Sequence, residues 1–148
     1  MLFNPRILPD AMSELSWPDI RRQIYRRANA CCEYCQTCEE NTGQALHIEH
    51  IDPAGGDDLE NLCLACSNCN LSKAAATSAV DPTTGEETPL FNPRQHSWTD
   101  HFAWIDDGLR VLGLTATGRV TVARLKMNRD RIVRARQRWI EAGFHPPK

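Results

Sequence analysis

The sequence predicts an α+β fold: a small strand-and-helix unit built around two cysteine pairs, preceded by one helix and followed by a β-hairpin and two basic helices. Three features carry that expectation. Cys32-Glu33-Tyr34-Cys35 and Cys66-Ser67-Asn68-Cys69 are two Cys-x-x-Cys pairs separated by 30 residues. Between them, Ala45 to Ile51 reads as a strand that ends at Pro53. Beyond residue 97 the pattern changes to a hairpin signal and then to helical periodicity.

The elements follow in order. Residues 1–15 read as an irregular lead-in. Ser16 and Asp19 are spaced as a capping box with Pro18 in the first turn, and Ile20, Ile24 and Ala28 form the inward face of the helix that follows. Asn41-Thr42-Gly43 is a turn, Gly55-Gly56 a loop, and Asn70 to about Ser78 has the alanine content of a short helix. The core unit thus covers 16–78, with a Pro-, Thr- and Gly-rich loop over 79–97 and an extension over 98–148. In that extension Asp107-Gly108 separates two apolar runs within Phe102 to Leu114, a hairpin. One helix covers about Arg119 to Met127; a second, capped by Asn128 and ending before Gly143, buries Ile132, Ala135, Trp139 and Ile140. The pentapeptide Leu-Phe-Asn-Pro-Arg occurs at 2–6 and again at 90–94, without making a repeat architecture.

Composition excludes several classes. At 148 residues, 41% of them hydrophobic, the chain suits one compact domain. A membrane span needs about 20 consecutive apolar residues, and the runs here are only a few residues long. No apolar leader follows Met1, so the chain is expected in the reducing cytoplasm, where the seven cysteines favour metal ligation over a disulfide framework. The net charge of −2 conceals an asymmetry. Ala28 to Ser72 contains no Lys or Arg, whereas Arg110 to the end has ten basic residues against Asp130 and Glu141. That distribution allows a cation-binding centre flanked by basic arms that meet nucleic acid.

Paired knuckles offer four thiolates in a tetrahedral shell, which suits zinc, so Cys32, Cys35, Cys66 and Cys69 are the expected ligands of a closed, structural zinc site. Cys35 and Cys38 are also spaced Cys-x-x-Cys, so Cys38 could replace a ligand; Cys31 and Cys63 are left over.

His47-Ile48-Glu49-His50-Ile51-Asp52-Pro53, then Asn61-Leu62, then Cys69-Asn70-Leu71-Ser72-Lys73 complete the pattern. From about Cys32 to Lys73 the chain resembles the zinc-knuckled branch of the HNH endonuclease family. The resemblance implies a ββα-metal, treble-clef-like core around one catalytic divalent cation, and hydrolysis of DNA leaving 5′-phosphate and 3′-hydroxyl ends. It implies that His50 activates water, that Glu49 and Asn70 hold Mg²⁺ or Mn²⁺, and that Asn61 braces the loop through backbone hydrogen bonds.

The residue chemistry points the same way. A neutral imidazole can take a proton near pH 7, and a carboxylate and an amide offer the hard oxygens these ions prefer. Glu49 stands where the family most often has Asp, and Asn70 where the founding pattern has His.

Strand alternation sends Glu49 and His50 to opposite faces, so His50 is expected at a strand end or in irregular backbone. His47 could be an extra ligand or a phosphate contact, or simply an exposed strand histidine. Lys73 could reach the scissile phosphate or be a solvated helix lysine.

On the last helix Arg131, Arg134 and Arg138 form a basic stripe which, with Arg124, Lys126, Arg129 and Arg136, could track a phosphate backbone. Arg21, Arg22, Arg26 and Arg27 are read the same way. Asp100-His101 imitates the acidic-His pair without a following Asn or cysteine pair, and with nearby His96 is set aside. Trp98, Phe102 and Trp104 are expected to pack the hairpin. One site per chain cuts both strands only through a homodimer or two successive nicks. The competing expectation is a non-catalytic zinc module that binds nucleic acid or protein.

Overall fold

The computed structural model describes residues 15–148, so the expected lead-in, except Leu15, and the first Leu-Phe-Asn-Pro-Arg copy lie outside the described residues. Helix α1 (Trp17–Arg27) starts where Ser16 Oγ accepts from the Asp19 amide at 3.3 Å, and it sets Ile24 into the core against the second strand. The first cysteine pair follows, then a single turn, α2 (Glu39–Thr42), stopped by Gly43 at φ +69°, a left-handed conformation that glycine adopts without a Cβ clash.

Strands β1 (His47–His50) and β2 (Leu62–Ala65) pair antiparallel, with Glu49 opposite Cys63 and His50 opposite Leu62. Every residue of β2 is buried. Helix α3 (Ser67–Lys73) packs on this hairpin, and Cys66 caps it by accepting from the Cys69 amide at 3.5 Å. Two strands and one helix around the Glu49–His50 edge make up the expected ββα unit. The alanine run is not in α3: the helix ends at Lys73, because Ala74 turns to φ +49°.

The stretch 79–97 is not all loop. Strands β3 (Ser78–Val80) and β4 (Glu87–Pro89) form a second hairpin, whose turn is organised by buried Asp81. Asp81 accepts from the Thr83 amide and the Thr84 hydroxyl and pairs with Arg119 at 2.9 Å. Three-residue strands are too short to show alternation in sequence. The second pentapeptide copy also has a structural part: Leu90 and Phe91 are buried, Asn92 Oδ1 accepts from the Arg94 amide, and Arg94 pairs with Glu33 of the first knuckle.

After α4 (Trp98–His101), β5 (Phe102–Ile105) and β6 (Arg110–Gly113) form the expected hairpin, its turn taking positive φ at Asp106, Asp107 and Gly108. Helices α5 (Ala116–Arg124) and α6 (Asp130–Glu141) complete the chain. A Cβ on Gly118 would lie 2.1 Å from the His101 carbonyl, so α5 can sit this close to the end of α4 only with glycine there. Asn128 does not cap α6. Its amide clamps Val111 on both sides, accepting from its N–H at 2.8 Å and donating to its carbonyl at 2.9 Å. Ile24, Tyr34, Leu64, Phe91, Phe102, Val120 and Leu125 belong to the same buried cluster, so core and extension share it. No helix among the described residues is long and apolar enough to cross a membrane.

Candidate active site and metal centre

The metal centre forms where the loop after α1 meets the start of α3. The Sγ atoms of Cys32, Cys35, Cys66 and Cys69 all lie within 4.8 Å of one another, and all four residues are buried. Two backbone bonds between Cys32 and the following turn shape the first knuckle: Cys32 N to Thr37 O at 2.8 Å and Gln36 N to Cys32 O at 2.9 Å. Hydrogen bonds from the neighbouring thiols hold Cys35 well below the usual thiol range, while burial, first of all, pushes Cys32 well above it. Thiols this close and this dry compete for charge, and four sulfur donors in a closed cluster fit zinc.

The disulfide expectation needs correcting. Cys31 and Cys38 are joined by a disulfide across an antiparallel bridge. The knuckle turns the chain back on itself and brings its two outer cysteines face to face. Cys38 is thereby removed as an alternative ligand. Cys63 stays free on β2, where burial pushes its thiol up to about 12.

The second candidate site lies at the β1 edge. Ile48, Glu49, His50, Pro53, Asn70, Ala74 and Ala75 line a cavity of about 340 Å³. His50 is the last residue of β1, and its side chain is partly exposed. Glu49 is turned inward, and its Oε1 is buried without a hydrogen-bond partner. Burial pushes this carboxyl up to about 7, against the pull of Lys73 and His50. A buried carboxylate whose Oε1 has no hydrogen-bond partner and only the Lys73 ammonium 3.8 Å away, sharing a cavity with an asparagine amide, offers the hard oxygens a divalent cation takes. His50 Nε2 lies 2.6 Å from Asp57 Oδ1, a partner supplied by the loop after Gly55-Gly56. Sequence reading missed Asp57; the only available signal was an acidic residue just after a Gly-Gly loop.

Asn61 ties that loop down. Its Oδ1 accepts from the Asp52 amide at 2.9 Å, and its Nδ2 donates to the carbonyls of Asp52 and Gly56, both at 2.8 Å. A Cβ on Gly55 would come within 2.8 Å of that Asn61 amide, which explains the glycine.

Lys73 departs from its expected place. It is 1% exposed; its Nζ donates to the Ile51 carbonyl at 2.9 Å and stands 3.8 Å from Glu49 Oε1. The ammonium therefore faces the underside of Glu49 rather than a bound phosphate. His47 lies outside the cavity: it is exposed, its Nε2 is 3.0 Å from Ser67 Oγ, and it lines a neighbouring groove with Trp17, Arg21 and Asn70.

On the flanks, Arg124, Arg131, Arg134 and Arg138 are exposed, with Arg131 beside Cys66 and Ser67. Arg136 is not on the stripe; it is fully buried, because it falls one turn after Ile132 on the inward face of α6. His101 Nδ1 meets Thr115 Oγ1 at 2.6 Å, and Trp98 packs against Phe102 and Trp104.

No curated protein and no solved structure matches the chain. Residues 32–75, from the first clustered cysteine to the last residue lining the Glu49 cavity, match the family model of the HNH endonucleases.

Proposed function

We propose that this chain is a metal-dependent HNH endonuclease that hydrolyses phosphodiester bonds in DNA. One observation carries the proposal: Glu49, His50 and Asn70 line one cavity, and Glu49 brings to it a buried oxygen with no hydrogen-bond partner. Glu49 and Asn70 would hold Mg²⁺ or Mn²⁺, which supplies Lewis-acid stabilisation of charge on the phosphate and leaving oxygen. With its Nε2–H donated to Asp57, His50 keeps the Nδ1 lone pair to take a proton from water. The water oxygen bonds to phosphorus, the bond to the 3′ oxygen breaks, that oxygen takes a proton from solvent, and the products carry 5′-phosphate and 3′-hydroxyl ends. Asn61 keeps the Asp52–Gly56 loop in shape under His50. The exposed arginines of α5 and α6 supply the phosphate-backbone contacts, and one site per chain nicks one strand per encounter.

A specific observation favours a second reading. Lys73 already offers Glu49 an internal cation at 3.8 Å, as a degenerate site kept only for binding would. Supercoiled plasmid, incubated with zinc-loaded protein and a series of added divalent ions, separates the two. Nicking that depends on added Mg²⁺ or Mn²⁺ is the expected result. No nicking with any ion, alongside intact DNA binding, would favour the binding module.

A further inference from the structure

Beside the Glu49 cavity lies a second groove, of about 560 Å³, lined by Trp17, Arg21, Leu46, His47, Ile48 and Asn70. Ile48 and Asn70 also line the Glu49 cavity, so the two spaces share a wall. A strand of nucleic acid with a phosphate at Glu49 and Asn70 would carry its neighbouring base to this groove.

Trp17 and Arg21 are one turn apart on α1, which brings both to the same side of the helix. Trp17 is 52% exposed, a large aromatic ring left open to solvent. Arg21 is exposed and forms no ion pair among the described residues. Its Nη2 donates to the Tyr25 hydroxyl at 3.0 Å, and its guanidinium lies 4.7 Å from the centre of the Tyr25 ring. That hydroxyl also accepts from the Leu46 amide at 2.9 Å and donates to the Leu46 carbonyl at 3.2 Å, which ties α1 to the residue before β1. The groove is therefore formed before a ligand arrives. An open aromatic face, apolar neighbours in Leu46 and Ile48, and one uncommitted cation match a nucleobase with its phosphate. A paired base is stacked between its neighbours and cannot enter such a groove, whereas an unpaired base leaves the stack at little cost.

We propose that this groove takes one unpaired DNA base next to the scissile phosphate, with Trp17 as its stacking platform. The chain would then select DNA with an unpaired nucleotide over a continuous duplex. The position of the scissile phosphate rests on the nuclease reading; the stacking itself needs no cleavage.

The test is affinity, read by fluorescence anisotropy without added divalent ion, so that binding is separated from cutting. Three labelled duplexes of one sequence are compared: fully paired, with one extra unpaired thymidine, and with an abasic unit in place of that thymidine. Zinc-loaded wild type should bind the thymidine bulge about five- to a hundredfold tighter than the other two, the gain expected from one base on an aromatic side chain. The abasic probe keeps the interruption of the duplex and lacks only the base, so bending of the DNA does not reproduce the difference. Trp17→Ala should erase the preference and Trp17→Phe should keep part of it, both with zinc content and helicity unchanged, since Trp17 lies outside the buried core. Arg21→Gln should weaken all three probes alike. Wild-type affinities within about twofold of one another would overturn the proposal, and that comparison needs no variant to fold. A preference that survives Trp17→Ala, or Trp17-dependent dimerisation that closes the groove, would overturn it too. With Mg²⁺ or Mn²⁺ added, absence of nicking beside an intact preference would count against the nuclease reading and leave the groove as a base-binding site.

Discussion

His50 Nε2 and Asp57 Oδ1 face each other at 2.6 Å, joining the end of β1 to the far side of the Gly55-Gly56 loop. The contact fixes which imidazole nitrogen carries a proton and how the ring is oriented. Asp57→Asn keeps an acceptor oxygen but loses the charge, and Asp57→Ala loses both. The Ala variant should reduce kcat for nicking by about tenfold or more, part of the 10²–10⁴ that a general base contributes. KM should change little. Single-turnover nicking at saturating protein checks this, and an unchanged rate in both variants would remove Asp57 from the site.

Glu49 makes stability depend on pH. Its carboxyl is raised to about 7 from an unfolded value near 4.5, so between those values the folded chain holds a proton that the unfolded chain has released. Stability should therefore fall as pH rises through that window, by roughly 1–3 kcal/mol, and stay low above it. Glu49→Gln should flatten the slope while leaving Lys73 its backbone carbonyl contacts. Added Mg²⁺ should restore stability at pH 8 in the wild type and not in the Gln variant. Urea unfolding of zinc-loaded protein at pH 5 and pH 8 reads both effects; equal slopes in the two proteins would contradict the assignment.

The cysteines make a clean stoichiometric case. The wild-type chain should hold one zinc, Cys69→Ser should lose it and unfold, and Cys38→Ser should keep it, because Cys38 lies outside the four-sulfur cluster. Structural zinc contributes on the order of 10–16 kcal/mol of apparent binding free energy, more than a small domain can lose and stay folded. Metal quantitation and circular dichroism on the three proteins decide it.

What the sequence made legible was chemistry with fixed spacing or a turn signal. Each Cys-x-x-Cys pair, the Ser16 cap, the Asp107-Gly108 turn and the strand ending at His50 are local patterns, written within a few consecutive residues. Contacts made across the fold were not legible. Lys73 looks like a surface lysine at the end of a helix, and only the packing of α3 on β1 turns its ammonium under Glu49. Asn128 has the composition of a cap, yet it finds better partners on Val111. Arg136 reads as one more basic residue in a basic helix, although its spacing from Ile132 already placed it on the apolar face.

The exposed stripe on α6 predicts salt dependence. Replacing Arg131, Arg134 or Arg138 singly with Gln should weaken DNA binding irrespective of sequence. The slope of log affinity against log salt should fall by about one for each phosphate that is no longer neutralised. Fluorescence anisotropy with a labelled duplex over a salt series measures the slope. An unchanged slope in the triple variant would place the DNA elsewhere on the molecule.

The most direct measurement compares wild type and His50→Ala for Mg²⁺- or Mn²⁺-dependent nicking of supercoiled plasmid, with zinc content and DNA affinity measured on the same samples. The variant should nick about 10²–10⁴ times more slowly, as expected when a general base is removed, with its zinc and its DNA binding intact. Nicking at the wild-type rate would show that His50 does not activate water, and the cavity at the β1 edge would lose its assignment as the active site.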